Sequence, residues 1–286
     1  GLLSEAGAVG FTDGVSAVGN AQTMRRALSY ASAFDAVILQ HPLEPTLASG
    51  VMNGGALATR LGLAGSPAMA EVILVERDLR LIEMTGGRYH ASHITTARTV
   101  ELIREAKRRG LPVTCDTAPH YFTLTEAAVG EYRTFAKTSP PLRRESDRQA
   151  LIDGIADGTI DAVASDHDPQ DQDSKRLPFA AAADGMAGLE TLFSLSLDLV
   201  HTSRVSLLSL LHRLTAGPAE ILGLQAGRLA PGLPADLILF DPDARWTIDP
   251  DRFRGKCKNS PFDDHPTHGR VLRTVVDGRT IFAISE

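Results

Sequence analysis

Asp161-Ala-Val-Ala-Ser-Asp166-His167-Asp168-Pro169 is a short apolar run that ends in an acid–imidazole pair. Such a run, closed by polar turn residues, reads as a buried strand at 161–166. Four similar runs precede it, at 8–13, 36–41, 88–94 and 112–120. Helical spacing fills the gaps at 21–34, 68–85 and, most clearly, 96–109. In the last of these, Val100, Ile103 and Ala106 share one face while Arg104, Lys107 and Arg108 turn to solvent. Gly110 then stops the helix and Pro112 restarts the chain as a strand. Strands alternating with helices predict a parallel sheet covered by helices.

Two architectures satisfy that pattern, a doubly wound open sheet and a (β/α)8 TIM-type barrel. A doubly wound nucleotide binder carries a Gly-rich turn after an early strand, and none of these strands has one. Instead nearly every strand ends in a polar residue able to do chemistry: Asp13, His41, His93, His120 and Asp166. Reactive groups at the C-terminal ends of several strands are the habit of the barrel. Five strands do not close eight, and the chain opens on Gly1 before running almost at once into a strand. Upstream barrel units are therefore expected to be missing. Beyond residue 225 the pattern changes: 227–241 is a turn and a short β run, and 269–282 folds around Asp277-Gly278. The expected division is 1–224 for the barrel part and 225–286 for a small β segment.

Composition narrows the function classes. The 286 residues carry a formal charge of -6, with 43% hydrophobic and 22% charged residues, as in a soluble globular enzyme. No basic footprint for nucleic acid is present. No run approaches the roughly 18–20 apolar residues of a membrane span, and the first residues lack the basic start and apolar core of a signal peptide. Two cysteines, Cys115 and Cys257, make neither a disulfide framework nor a zinc knuckle. A cytoplasmic location is expected.

His41 and His93 each read alone as ordinary buried histidines. Paired at the ends of adjacent strands, they are candidates to share a metal ion, since neutral imidazole is a common zinc ligand. His90 and His93 differ by an odd number, so in an extended strand they point to opposite faces. His93 is assigned to the interior and His90 to packing. Asp166 is the candidate metal ligand and catalytic base, able to take a proton from water, with His167 beside it to contact substrate or orient the carboxylate. An acidic turn would explain Asp168 and Asp171 without chemistry. Asp13 is either a ligand bridging two metals or a turn residue before Gly14. His120 follows Pro119, which leaves its orientation open. The segment 137–143, stiffened by two prolines, either positions substrate or simply connects.

Together these segments resemble the class I dihydroorotases of the amidohydrolase superfamily. The resemblance runs over essentially the whole chain. It is carried by Gly7-Ala-Val-Gly-Phe-Thr-Asp13, His41-Pro-Leu-Glu44, His90-Ala-Ser-His93-Ile-Thr-Thr, Ala118-Pro-His120, Ser165-Asp-His-Asp-Pro169, Gly188-Leu-Glu-Thr191 and Lys258-Asn-Ser-Pro-Phe262. It implies a (β/α)8 barrel of the metal-dependent hydrolase kind, visible here from about strand 4 onward, with a small C-terminal β domain. The implied reaction is reversible, zinc-dependent hydrolysis of dihydroorotate to carbamoyl aspartate in pyrimidine synthesis. The implied cofactor is one or two zinc ions held by His41, His93, Asp166 and, more weakly, Asp13. Ser139 stands where the family has a substrate-binding Asn, and Gln170 where a second substrate-contacting His is common. The first-strand His-x-His pair that completes the family's metal site is absent, so these residues alone are expected to hold metal poorly. The resemblance also implies a homodimer or a complex with aspartate transcarbamoylase. Two alternatives follow from it: a non-catalytic subunit supporting the transcarbamoylase, or an amidohydrolase that opens hydantoin or allantoin.

Overall fold

The computed structural model describes residues 1–284. The strands are β1 (Gly10–Thr12), β2 (Val37–Gln40), β3 (Met52–Asn53), β4 (Gly65–Ser66), β5 (Tyr89–Ala91), β6 (Val113–Thr117), β7 (Ala162–Val163), β8 (Leu237–Thr247), β9 (Pro266–Val276) and β10 (Arg279–Ala283). The helices are α1 (Leu2–Glu5), α2 (Ala21–Ala31), α3 (Ala56–Leu61), α4 (Met69–Thr85), α5 (Ala97–Arg108), α6 (Pro119–Thr123), α7 (Glu145–Asp157), α8 (Gln172–Lys175), α9 (Leu192–His201), α10 (Leu207–Leu214) and α11 (Ala216–Leu222).

Five strands form one parallel sheet in the order β1-β2-β5-β6-β7. Its register separates the two faces. Ile38, Tyr89 and Val113 lie side by side, as do Gln40, Ala91 and Cys115 one pleat further on. Most of these join the main core with Met24 and Leu28 of α2, Val75, Leu79 and Ile82 of α4, and Ile103 of α5. The opposite face carries the row Leu39, His90 and Thr114, with Asp116 two residues beyond Thr114. One face is thus an ordinary helix-covered core, and the other is lined by polar groups that converge towards the strand ends.

The five strands fall where the apolar runs predict them, but each is shorter, and the differences matter at three ends. The run 112–120 stops being a strand at Thr117 because Pro119 starts α6, its ring suiting the first helical position. His120 therefore sits on a helix. His93 lies two residues beyond β5 at φ 56°, and Asp166 three beyond β7 at φ 45°. Left-handed backbone at a non-glycine residue is uncommon, and here it aims two side chains across the strand ends. On α5, Thr96 caps the first turn by accepting from Thr99 N, and Val100, Ile103 and Ala106 are buried as the spacing predicts. Lys107 departs from expectation: its Nζ reaches back to Asp161 at 2.6 Å, and Asp161 in turn accepts Cys115 N–H.

The last residue of β2 fixes the direction of the next. Gln40 accepts Val18 N–H at 2.8 Å and donates to Asp78 on α4, so it is pinned to the helix-covered face and His41 follows on the other. Asp78 is fully buried and also takes the Tyr89 hydroxyl at 3.0 Å and the Arg77 guanidinium at 2.7 Å. Burial outweighs Arg77, Tyr89 and Gln40 and raises the Asp78 carboxyl from 3.8 to about 6. An acid whose pKa is raised on folding binds more protons folded than unfolded between about pH 4 and 6. Stability is expected to fall as pH rises through that window, by on the order of 3 kcal/mol from this group. Urea unfolding at pH 4 and pH 6.5 tests this, since Asp78→Asn should remove that part of the slope.

β8, β9 and β10 make a separate antiparallel sheet, with β9 central and Asp277-Gly278 turning between β9 and β10. The predicted change of pattern near residue 225 falls between the end of α11 and the start of β8. This sheet lies on α9. Phe193 meets Phe240 edge-on at 4.9 Å, and at Gly269, whose φ is 84°, a Cβ would stand 2.1 Å from Leu197 Cδ1, so a larger residue would strain the backbone and force Leu197 to move. No helix among the described residues is long and apolar enough to cross a membrane.

Candidate functional site

His41, His93 and Asp166 come together beyond the ends of β2, β5 and β7. The His41 and His93 rings are 6.3 Å apart, and His93 Nε2 is 3.5 Å from Asp166 Oδ1. Burial and the neighbouring His93 hold the His41 imidazole below its usual range, against the pull of Asp166, Glu71 and Asp116. His41 is therefore neutral near pH 7, the form that ligates metals. At His93, burial works downward, but Asp116 and then Asp166 outweigh it and raise the ring to about 9. The carboxylates around His93 thus make a seat for positive charge, which a metal cation would fill by displacing that proton.

Asp166 Oδ2 accepts the Tyr121 hydroxyl at 3.1 Å, and His120 Nε2 stands 3.2 Å from the same oxygen. Burial raises its pKa, but His120, His93 and Tyr121 together keep it below the usual carboxylate range. An ionised carboxylate beside imidazoles can bind a cation or take a proton. His93 Nδ1 and His120 Nε2 are both buried without an aligned hydrogen bond. Among the described residues no three His, Cys, Asp or Glu side chains form a complete metal-binding group. His93 with Asp166 beside it, and His41 nearby, are donors of the kinds a zinc ion takes as part of its shell.

The remaining candidates are placed as follows. Asp13 is exposed, one residue past β1, and no hydrogen bond or ion pair joins it to His41, His93 or Asp166. Thr12 pairs with Leu39, so continuing the alternation would put Asp13 level with Gln40 rather than on the His41 face. His167 Nδ1 accepts Gly188 N–H at 3.1 Å, which leaves Nε2 as the donor of that ring. Ser139 is exposed on its loop. That loop is braced by Lys137, whose Nζ donates to Ala180 O and Ala182 O, and by Lys175, whose Nζ bonds three carbonyls including Lys137 O. Gln170 is tied to Asn259 and Asp168 and lines a cleft of about 660 Å³ with Lys175, Lys256 and Lys258.

The amidohydrolase family profile matches residues 6–281. The chain belongs to the amidohydrolase family. Among its relatives, the dihydroorotase of Anaplasma phagocytophilum (strain HZ) is 47% identical over 282 residues, 98% of this chain and 63% of that one. The dihydroorotase of Syntrophotalea carbinolica is 46% identical over 287 residues, 100% of this chain and 68% of that one. This amidohydrolase chain thus spans about two thirds of the length of these relatives. Among solved structures, the L-hydantoinase (dihydropyrimidinase) from Arthrobacter aurescens superposes with a TM-score of 0.89 at 27% identity, covering 100% of this chain and 68% of that one. The parallel sheet and its helical cover are the α/β TIM-type barrel architecture of the family.

Several residues of this candidate site escape a reading of the sequence. His90 does more than pack: its Nε2 is 2.8 Å from Asp116 Oδ2 and its Nδ1 2.8 Å from Thr114 Oγ1. The alternation rule fails for the His90–His93 pair because His93 is no longer in the strand. Asp116 itself had a legible signal, an acid two residues from Thr114 inside a buried run. Tyr121 had none, because its partners Asp166 and Pro140 O are distant in sequence. Glu71 of α4 is fully buried and accepts from the backbone N–H and hydroxyl of both Thr95 and Thr96, directly after the His93 turn. Arg143 then joins Thr95 Oγ1 to Asn53 Oδ1 and Ser66 O.

Proposed function

We propose that this chain carries part of the active site of a zinc-dependent cyclic-amide hydrolase that converts dihydroorotate to carbamoyl aspartate and back. The observation that carries the reading is the grouping of His41, His93 and Asp166 beyond the ends of β2, β5 and β7 of one parallel sheet. Identity of 44–47% to relatives named dihydroorotase supports the choice of substrate. His41, His93 and Asp166 would hold the zinc, and Asp13 is the further acidic candidate. Zinc in such a site supplies Lewis acidity, activating water and polarising the amide carbonyl.

The chain's own residues do the rest. Asp166, kept ionised by His120, His93 and Tyr121, accepts the proton of the attacking water. It returns that proton to the ring nitrogen as the C–N bond breaks, and the reverse sequence closes the ring. Tyr121 holds Asp166 and also touches Pro140 O, so the base and the Ser139 loop keep a fixed relation. His167 offers its Nε2 donor to the substrate, and Ser139 and Gln170 contribute polar contacts from the neighbouring loops. A cytoplasmic location, and a homodimer or a complex with aspartate transcarbamoylase, accompany this reading.

Similarity to an L-hydantoinase structure favours one competing substrate class, the hydantoins. A panel of dihydroorotate, hydantoin and allantoin, offered to the longest natural form, separates them. Dihydroorotate is expected to lead in kcat/KM by about 10²-fold or more, because a site built to bind its extra polar group rejects analogues lacking it. Faster opening of hydantoin would transfer the activity to that class. Loss of all three activities with zinc bound would favour the non-catalytic subunit.

A further inference from the structure

We propose that Asp116 is a positioning residue that fixes the backbone, ring orientation and tautomer of His93. This rests on the reading of His93 as a metal ligand. Asp116 lies on β6, buried, on the polar face of the sheet. Its Oδ1 accepts His93 N–H at 2.8 Å, which pins the left-handed turn at φ 56°. The same oxygen stands 3.0 Å from His93 Nδ1.

No other group claims that nitrogen: it is buried and makes no aligned hydrogen bond. At 3.0 Å, Asp116 Oδ1 is the acceptor within reach of an Nδ1–H. When the ring gives up one proton to a metal cation, the proton kept on Nδ1 leaves Nε2 bare, the nitrogen that faces Asp166 and can ligate.

The second Asp116 oxygen is held just as firmly. His90 Nε2 meets Oδ2 at 2.8 Å, and His90 Nδ1 meets Thr114 Oγ1 at 2.8 Å. Three donors therefore face one group, and a carboxylate accepts from all of them. An amide in its place would turn an N–H towards one of them. Asparagine is for this reason a sharp probe.

Ring ¹⁵N–¹H NMR on the longest natural form, with His93 assigned through His93→Gln, tests the idea directly. In the metal-free wild type, a downfield hydrogen-bonded Nδ1–H is expected at His93, and Asp116→Asn should abolish it. Zinc titration of the same samples should show affinity 10–100-fold weaker in Asp116→Asn. A proton on Nε2 alone in the wild type overturns the proposal, even if Asp116→Asn does not fold. So does an Asp116→Asn protein that keeps the Nδ1–H signal and binds zinc within twofold of wild type. If the wild type neither binds zinc nor opens dihydroorotate, the functional reading falls, while the metal-free spectrum still decides the role of Asp116.

Discussion

Asp166→Asn should lower the rate of dihydroorotate opening by about 10²–10⁴-fold while leaving the protein folded. The substitution keeps the shape of the side chain and an oxygen that can accept the Tyr121 hydroxyl, so the contact at 3.1 Å survives. What disappears is the negative charge between His93 and His120 and with it the capacity to take a proton. The loss should appear in kcat more than in KM, because the proton transfer belongs to the chemical step rather than to binding. Circular dichroism and the urea midpoint should stay near wild type. Full activity in this variant would remove Asp166 from the role of base.

The largest effect on stability is expected at Glu71. Its side chain is fully buried and accepts from two backbone N–H groups and two hydroxyls of Thr95 and Thr96. Arg143, buried and bonded to Thr95 Oγ1, shares that environment, and the charge of Glu71 opposes the downward push of burial on its guanidinium. Truncation to alanine would leave two N–H groups without partners and remove that compensation. A loss of about 3–5 kcal/mol in unfolding free energy is expected for Glu71→Ala. Glu71→Gln should lose less, because it keeps one acceptor oxygen. Because Thr95 follows His93 by two residues, the same variant should also loosen the site. A loss below about 1 kcal/mol in urea unfolding would show that water replaces these bonds.

The sequence made the alternation of strands and helices legible because apolar runs and helical periodicity are local properties. α2, α4 and α5 fall almost on their predicted bounds, and His41 is found next to the end of β2. Asp166 was legible from its place after an apolar run, although β7 is only two residues long. What failed was local geometry at the strand ends. Pro119 starts a helix rather than ending a strand, which moves His120, and the turn at His93 breaks the period-two rule that separated it from His90. Asp116, Glu71, Arg143 and Tyr121 depend on partners some 20 to 90 residues away. Such pairs form only once the topology has brought the strand ends together, and no local pattern announces them.

Zinc add-back to the chelator-stripped longest natural form, read as dihydroorotate hydrolysis, bears most directly on the metal site built from His41, His93 and Asp166. Stripping should abolish activity and zinc should restore it. His41→Ala and His93→Ala should recover little of either zinc or rate. A metal-stripped protein working at full rate, or a His41→Ala, His93→Ala pair that binds zinc and turns over like wild type, would contradict that assignment.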